Sequence, residues 1–121
     1  MQPDEAVEMI REACFRRPEL LWNNWPNIEQ RKVKLPNLMG FCYIATQVFW
    51  VLIPEAKPYS QDRLHFWAQI GDTVYDPTSC QFDYRYPYHM GNKTRFPRLT
   101  TRAQELLKEV MDGDSYKERV A

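Results

Sequence analysis

The sequence predicts an α+β protein: N-terminal helices and a central helix packed on a small antiparallel sheet, followed by a C-terminal helix. Helical spacing of apolar residues over residues 4–16 and 101–112 predicts an amphipathic helix near each end of the chain. A longer apolar run over residues 42–52 predicts a buried helix, because strands are seldom that long. A hairpin pattern over residues 64–76 provides two antiparallel strands.

The first helix is predicted over residues 4–16, where Pro3 suits the first turn and Pro18 stops the helix. A second short turn is predicted over residues 19–23. Residues 24–40 are predicted to be irregular, because prolines and asparagines interrupt the pattern. The apolar side of the first helix is expected to bury Ala6, Met9, Ile10, Ala13 and Cys14.

The central helix is predicted to begin at Cys42, to reach about Leu52 and to end before Pro54. Its β-branched and aromatic residues also permit a strand, but the length of the run favours a buried helix. Residues 54–61 are predicted to form a polar loop. The inward face of this helix is expected to contain Cys42, Ala45, Thr46, Phe49, Trp50 and Ile53.

The hairpin is the strongest local signal in the chain. Residues 64–70 predict a strand, and Gly71-Asp72 predicts a two-residue turn with glycine where a type II′ turn requires it. Residues 73–76 predict the returning strand, which Pro77 cuts short.

The register of this hairpin predicts which side chains meet. If the loop has two residues, Trp67 lies opposite Asp76, and His65 and Asp76 share one face of the sheet. They are then diagonal neighbours, with Cα atoms about 7–8 Å apart, which allows a hydrogen bond between them. A one-residue bulge would place the two side chains on opposite faces, so the contact depends on the turn.

The last third of the chain is predicted to be a loop followed by a helix. Residues 79–99 are rich in tyrosine and proline and predict a loop. Thr101 and Gln104 have the spacing of a capping box that opens the final helix, and Gly113 is expected to end it.

The composition is typical of one soluble domain, here residues 1–121, with 44% hydrophobic and 26% charged residues. Sixteen basic residues balance sixteen acidic ones, which makes nucleic-acid binding a weaker expectation. No run of eighteen apolar residues and no signal-peptide pattern is present, so we expect a cytoplasmic protein with no membrane segment. Three widely spaced cysteines do not predict a disulfide framework.

Cys42, His65 and Asp76 have the chemistry of a thiol active site. At the first turn of a helix, Cys42 would have its negative form favoured by the helix dipole, and its backbone N–H would form half of an oxyanion hole. His65 would act as the base, and Asp76 would orient the imidazole. This chemistry requires no cofactor and no metal.

Each of these residues also has a structural interpretation. A cysteine at the start of an apolar helix is usually buried, a histidine in a strand is more often structural, and Asp-Pro starts turns. The combination, in this order, favours the active site. A zinc site from Cys42, Cys80, His65 and His89 is disfavoured, because zinc ligands usually include a close pair and none exists here.

Three segments, residues 40–45, 65–67 and 75–78, resemble the transglutaminase-like branch of papain-like folds. The chain more closely resembles a loosely defined set of small, uncharacterised phage and bacterial proteins. They share Cys-Tyr-x-Ala, His-x-Trp and Asp-Pro-Thr-x-x-Gln-Phe, and the likeness covers about residues 38–108.

The resemblance implies a minimal papain-like catalytic core over about residues 38–100, in a bacterial or phage-infected cell. It supports a Cys–His–Asp site but implies no particular substrate. His65 follows Cys42 by only 23 positions, fewer than in larger enzymes of this kind, so we expect a shallow site or one completed by a partner.

These observations predict a cysteine-dependent hydrolase or acyltransferase that acts on an amide, ester or isopeptide bond of a peptide, protein or small acyl substrate. Tyr43, Trp67 and Gln81 are candidates to line the substrate site. Gln81 and Asn37 are also weaker candidates to complete the oxyanion hole.

Two other functions compete with the enzyme hypothesis. One is a non-catalytic phage protein that inhibits or modulates a host factor through Trp22, Trp25 and the tyrosine-rich loop. The other is a nucleotide or nucleic-acid ligand stacked on aromatic residues 81–88, which the neutral net charge disfavours.

Overall fold

The structure, a computed structural model, describes residues 1–20 and 41–120, with side chains as far as residue 113. In this part of the chain it has the predicted α+β architecture, with three helices and a four-stranded antiparallel sheet. The helices are α1 (Pro3–Arg16), α2 (Cys42–Leu52) and α3 (Thr101–Val120). The strands are β1 (Lys57–Gln61), β2 (His65–Ile70), β3 (Thr73–Tyr75) and β4 (Asn92–Lys93). Short 3₁₀ turns cover Pro18–Leu20, Ser79–Gln81 and Tyr88–Met90.

The β2–β3 hairpin has the predicted register. Ile70 pairs with Thr73 and Ala68 pairs with Tyr75, so the loop between the strands has two residues. Gly71 has a φ angle of +60°, in the left-handed region that a residue with a side chain adopts only under strain. The hairpin is therefore confirmed, and it determines which side chains reach the face of the sheet described below.

The predicted polar loop over residues 54–61 is wrong, because residues 57–61 form β1, an inner strand of the sheet. Its order is β3-β2-β1-β4, and β1 pairs with β2 along its whole length. The turn from β1 to β2 contains no glycine. Asp62 and Arg63 adopt left-handed φ angles of 51° and 61°, which glycine usually supplies, so the usual sequence signal of a hairpin is missing.

The hydrophobic core lies between the three helices and one face of the sheet. Helix α2 is central: it packs on β2 and contacts both α1 and α3. One prediction for α2 is wrong, because Trp50 is 38% exposed and turns toward Phe96 instead of packing inward. The buried residues of α2 are Ile44, Ala45, Thr46, Gln47, Val48 and Phe49.

Helix α3 begins where predicted, but its cap is one residue earlier. The Thr100 hydroxyl accepts the backbone N–H of Ala103, which is the N-cap contact. Thr100 also binds the buried side chain of Gln47, so the start of α3 is attached to α2. The helix does not end at Gly113 as predicted but continues through it to Val120.

Candidate active site

The hairpin brings the side chains of His65 and Asp76 together. His65 is the first residue of β2 and Asp76 follows the last residue of β3 directly. Nε2 of His65 lies 2.7 Å from Oδ2 of Asp76, and both residues are buried, at 3% and 7% exposure. The contact predicted from the two-residue turn is therefore present, and it is shielded from water.

Asp76 accepts hydrogen bonds at both carboxylate oxygens. Oδ1 accepts the backbone N–H and the hydroxyl of Thr78, both at 3.1 Å. Oδ2 accepts the Tyr88 hydroxyl at 2.8 Å as well as the His65 ring. The sequence offers the Asp-Pro-Thr turn and the contact with histidine as alternatives, and the structure contains both. The turn holds one oxygen while the other faces His65.

Cys42 is the first residue of α2 and is partly exposed, and it lies near enough to His65 to contribute to the raised pKa of the imidazole. Because Nε2 of His65 is bound to Asp76, the other ring nitrogen, Nδ1, is the one left for the sulfur. The backbone N–H groups in the first turn of a helix have no partner within the helix, so the start of α2 offers hydrogen-bond donors near the sulfur. The three side chains thus form a connected series from Asp76 through His65 to Cys42.

The surroundings of His65 raise the pKa of its imidazole to about 9. Burial acts in the opposite direction, since it disfavours the charged ring. The hydrogen bond to Asp76, the proximity of Cys42 and the negative charge of Asp76 outweigh burial. The ring therefore stays protonated at neutral pH.

We expect the ring signal of His65 to titrate with a midpoint near pH 9 in an NMR pH titration. The sequence has two histidines, so His89→Gln assigns the two signals. The folded pKa is raised, so this group's contribution to stability is fully present below pH 6.5 and is lost as the pH rises through about 9. A midpoint at or below 6.5 would contradict the arrangement.

Aromatic side chains enclose the His65 ring. Trp67 is fully buried and stacks on the imidazole with centroids 5.7 Å apart. Phe82 and Tyr86 contact the same ring at 4.8 Å. Tyr88, which binds Asp76, packs against Trp67 at 5.1 Å. The tyrosine-rich loop therefore packs largely against the site and fixes the orientation of the imidazole.

The three candidate substrate residues have different positions. Trp67 contacts His65 but lies behind it, with no exposed surface. Tyr43 packs edge-on against Phe66 at 4.9 Å, on the core side of β2. The Gln81 amide donates to the carbonyl and hydroxyl oxygens of Thr78, so it holds the turn and is not free to complete an oxyanion hole. Asn37, Trp22 and Trp25 lie outside the described residues.

Arg11 supports the site from a part of the chain that no sequence pattern connects to it. From α1 its guanidinium donates to the Pro77 carbonyl at 2.9 Å, the Ser79 hydroxyl at 3.1 Å and the Asp76 carbonyl at 3.4 Å. The loop that carries Asp76 is thereby attached to the first helix. A single arginine on the polar side of a helix gives no sequence signal for such a contact.

Two other features bear on the chemistry of the described residues. Within residues 1–20 and 41–113, no group of three or more histidine, cysteine or acidic side chains is placed to hold a metal ion. Nor is any described helix long and apolar enough to cross a membrane.

Comparison with family models, curated proteins and solved structures finds no match to this chain.

Proposed function

We propose that the protein is a cysteine-dependent hydrolase or acyltransferase of the transglutaminase-like type, acting on an amide, ester or isopeptide bond. The observation that carries the proposal is the buried 2.7 Å contact between His65 and Asp76, with Cys42 near enough to the same imidazole to influence its pKa. Nucleophile, base and orienting carboxylate in this order are the minimum set for thiol catalysis.

The chemistry follows from these positions. The Cys42 sulfur attacks the carbonyl carbon, and the protonated His65 ring donates its proton to the departing amine or alcohol. An acyl-enzyme thioester remains. His65 then takes a proton from water or from an acceptor amine, which attacks the thioester. The Cys42 sulfur departs, the acid or the new amide is released, and the proton remains on His65 as at the start. Asp76 keeps the imidazole oriented throughout.

The three cysteines support this assignment by their different surroundings. Cys14 is fully buried in the core, where desolvation raises the pKa of its thiol well above its usual range. Cys80 is exposed in a 3₁₀ turn. Cys42 lies beside the imidazole of His65 and contributes to its raised pKa. The chain therefore contains an inert thiol and a solvent-exposed thiol as internal references.

We expect iodoacetamide at pH 6 to alkylate Cys42 at least about tenfold faster than Cys80, because the imidazole of His65 lies beside the Cys42 sulfur and can hold its proton. Cys14 should not react while the protein is folded. Peptide mass spectrometry follows all three cysteines in one sample. His65→Gln should bring the Cys42 rate down to that of Cys80, whereas His89→Gln, at the other histidine, should leave it unchanged. Equal rates for Cys42 and Cys80 in the unaltered protein would contradict the proposal.

A further inference from the structure

A cavity lies beside β1 and the edge strand β4. It has a volume of about 710 Å³, and Cys42, His65 and Asp76 are not among its lining residues. Pockets for small organic ligands have volumes of about 300–1,000 Å³, so the size suits one such molecule. Its lining includes the cations of Lys57, Lys93 and Arg95 and the rings of Trp50 and Phe96, together with Pro58 and Thr94.

The three cations of this cavity are not neutralised by ion pairs within residues 1–20 and 41–113. None of the three forms an ion pair with any described residue, although the whole chain has a net charge of zero. Like charges gathered around one cavity repel each other, and an anion between them would relieve the repulsion. The cavity therefore favours a ligand with several negative charges.

The aromatic residues Trp50 and Phe96 give the cavity an apolar side. Phe96 is held edge-on by Tyr43 at 5.2 Å and lies 6.2 Å from Phe66, so its ring is fixed by the core. Trp50 lies 6.4 Å from Phe96 and is 38% exposed, which leaves part of the indole open to a ligand. An exposed indole beside cations is suited to stack on a planar ring.

We propose that this cavity binds a mononucleotide. The phosphates contact Lys57, Lys93 and Arg95, and the base stacks on Trp50. A compact ligand fits better than a nucleic-acid strand, because the three cations converge on one cavity and the net charge of the chain is zero. The proposal is independent of the thiol chemistry, since the two sites share no residue.

The test is a titration of the protein with ATP, followed by calorimetry and by the NMR signal of the Trp50 indole N–H, assigned with Trp50→Phe. We expect saturable binding that weakens as salt is added, because exposed cations are screened. The double variant Lys93→Ala/Arg95→Ala should weaken binding at least about tenfold, and Trp50→Leu about threefold or more. All three side chains are at least partly exposed, so the fold should be preserved.

Two control variants establish whether ATP binds in this cavity. Lys108→Ala removes an exposed charge on α3, outside the cavity, and should leave affinity unchanged. Cys42→Ser should also leave it unchanged, so failure of the nucleotide proposal and failure of the thiol proposal remain distinguishable. Equal affinity for inorganic pyrophosphate and ATP would overturn the role of the indole. Tighter binding of an oligonucleotide than of ATP would overturn the choice of a mononucleotide, and an unaffected double variant would overturn the site.

Discussion

Replacing Asp76 by asparagine is expected to lower the free energy of unfolding by about 3 kcal/mol, because the buried carboxylate accepts hydrogen bonds from His65, Thr78 and Tyr88. The amide has one acceptor oxygen and one donor nitrogen. Its oxygen can retain the Thr78 contacts, but its N–H group would then face the Tyr88 hydroxyl and the His65 ring. Urea denaturation followed by circular dichroism measures the difference.

The matched control for this change is Asp83→Asn, the same substitution at an exposed position. It should alter the free energy of unfolding by less than about 0.5 kcal/mol. Asp76→Asn should also lower the pKa of His65, since the charge and hydrogen bond of Asp76 are main causes of its elevation. A loss of less than about 1 kcal/mol, or an unchanged His65 titration, would contradict the role given to Asp76.

Replacing Gly91 by alanine is expected to lower the free energy of unfolding by a similar amount, because of a steric clash. A β-carbon at this position would lie 2.2 Å from two ring atoms of Trp67, whose indole is fully buried and cannot turn away. Overpacking of this kind costs about 1–3 kcal/mol, and we expect the upper end of that range. Because Trp67 stacks on His65, the displacement should also reach the imidazole.

Gly113 provides a control in which the same substitution should stabilise the protein. At Gly113 a β-carbon would meet the end of the Arg16 side chain, which can move aside, and the residue lies within α3. Gly113→Ala should therefore raise the free energy of unfolding by up to about 1 kcal/mol. Trp67→Phe removes the clashing ring atoms. In a double-mutant cycle, it should therefore lower the free energy of unfolding less in the Gly91→Ala variant than in the unaltered protein. Additive costs would refute the steric clash as the cause.

The parts of the site that sequence predicts are those fixed by local rules. A glycine in the turn determines the β2–β3 register, and side-chain alternation then places His65 and Asp76 on one face. The start of α2 at Cys42 follows from the apolar run, and its end follows from Pro54. These inferences span a few residues each, over which turn type and periodicity constrain the chain strongly.

The parts that sequence does not predict depend on unusual backbone or on distant contacts. Strand β1 is hidden because Asp62 and Arg63, and not glycine, form its left-handed turn. The contacts of Tyr88 and Arg11 with the Asp76 loop depend on how separate elements pack, which no local pattern encodes. The sequence makes Gln81 a candidate for the oxyanion hole because it does not reveal the neighbours of this residue in the fold, where it binds Thr78 instead.

The separation of these contacts along the chain sets the order in which the site assembles. His65 and Asp76 are 11 residues apart in a hairpin, and hairpins form in about 1–10 μs. The bond from Arg11 to Pro77 closes a separation of 66 residues, and such contacts come late in folding. We therefore expect the contact between His65 and Asp76 to form first, and the hydrogen bond from Arg11 of α1 to the loop that carries Asp76 to form last. During synthesis the thiol would stay in an incomplete site until most of the domain has folded.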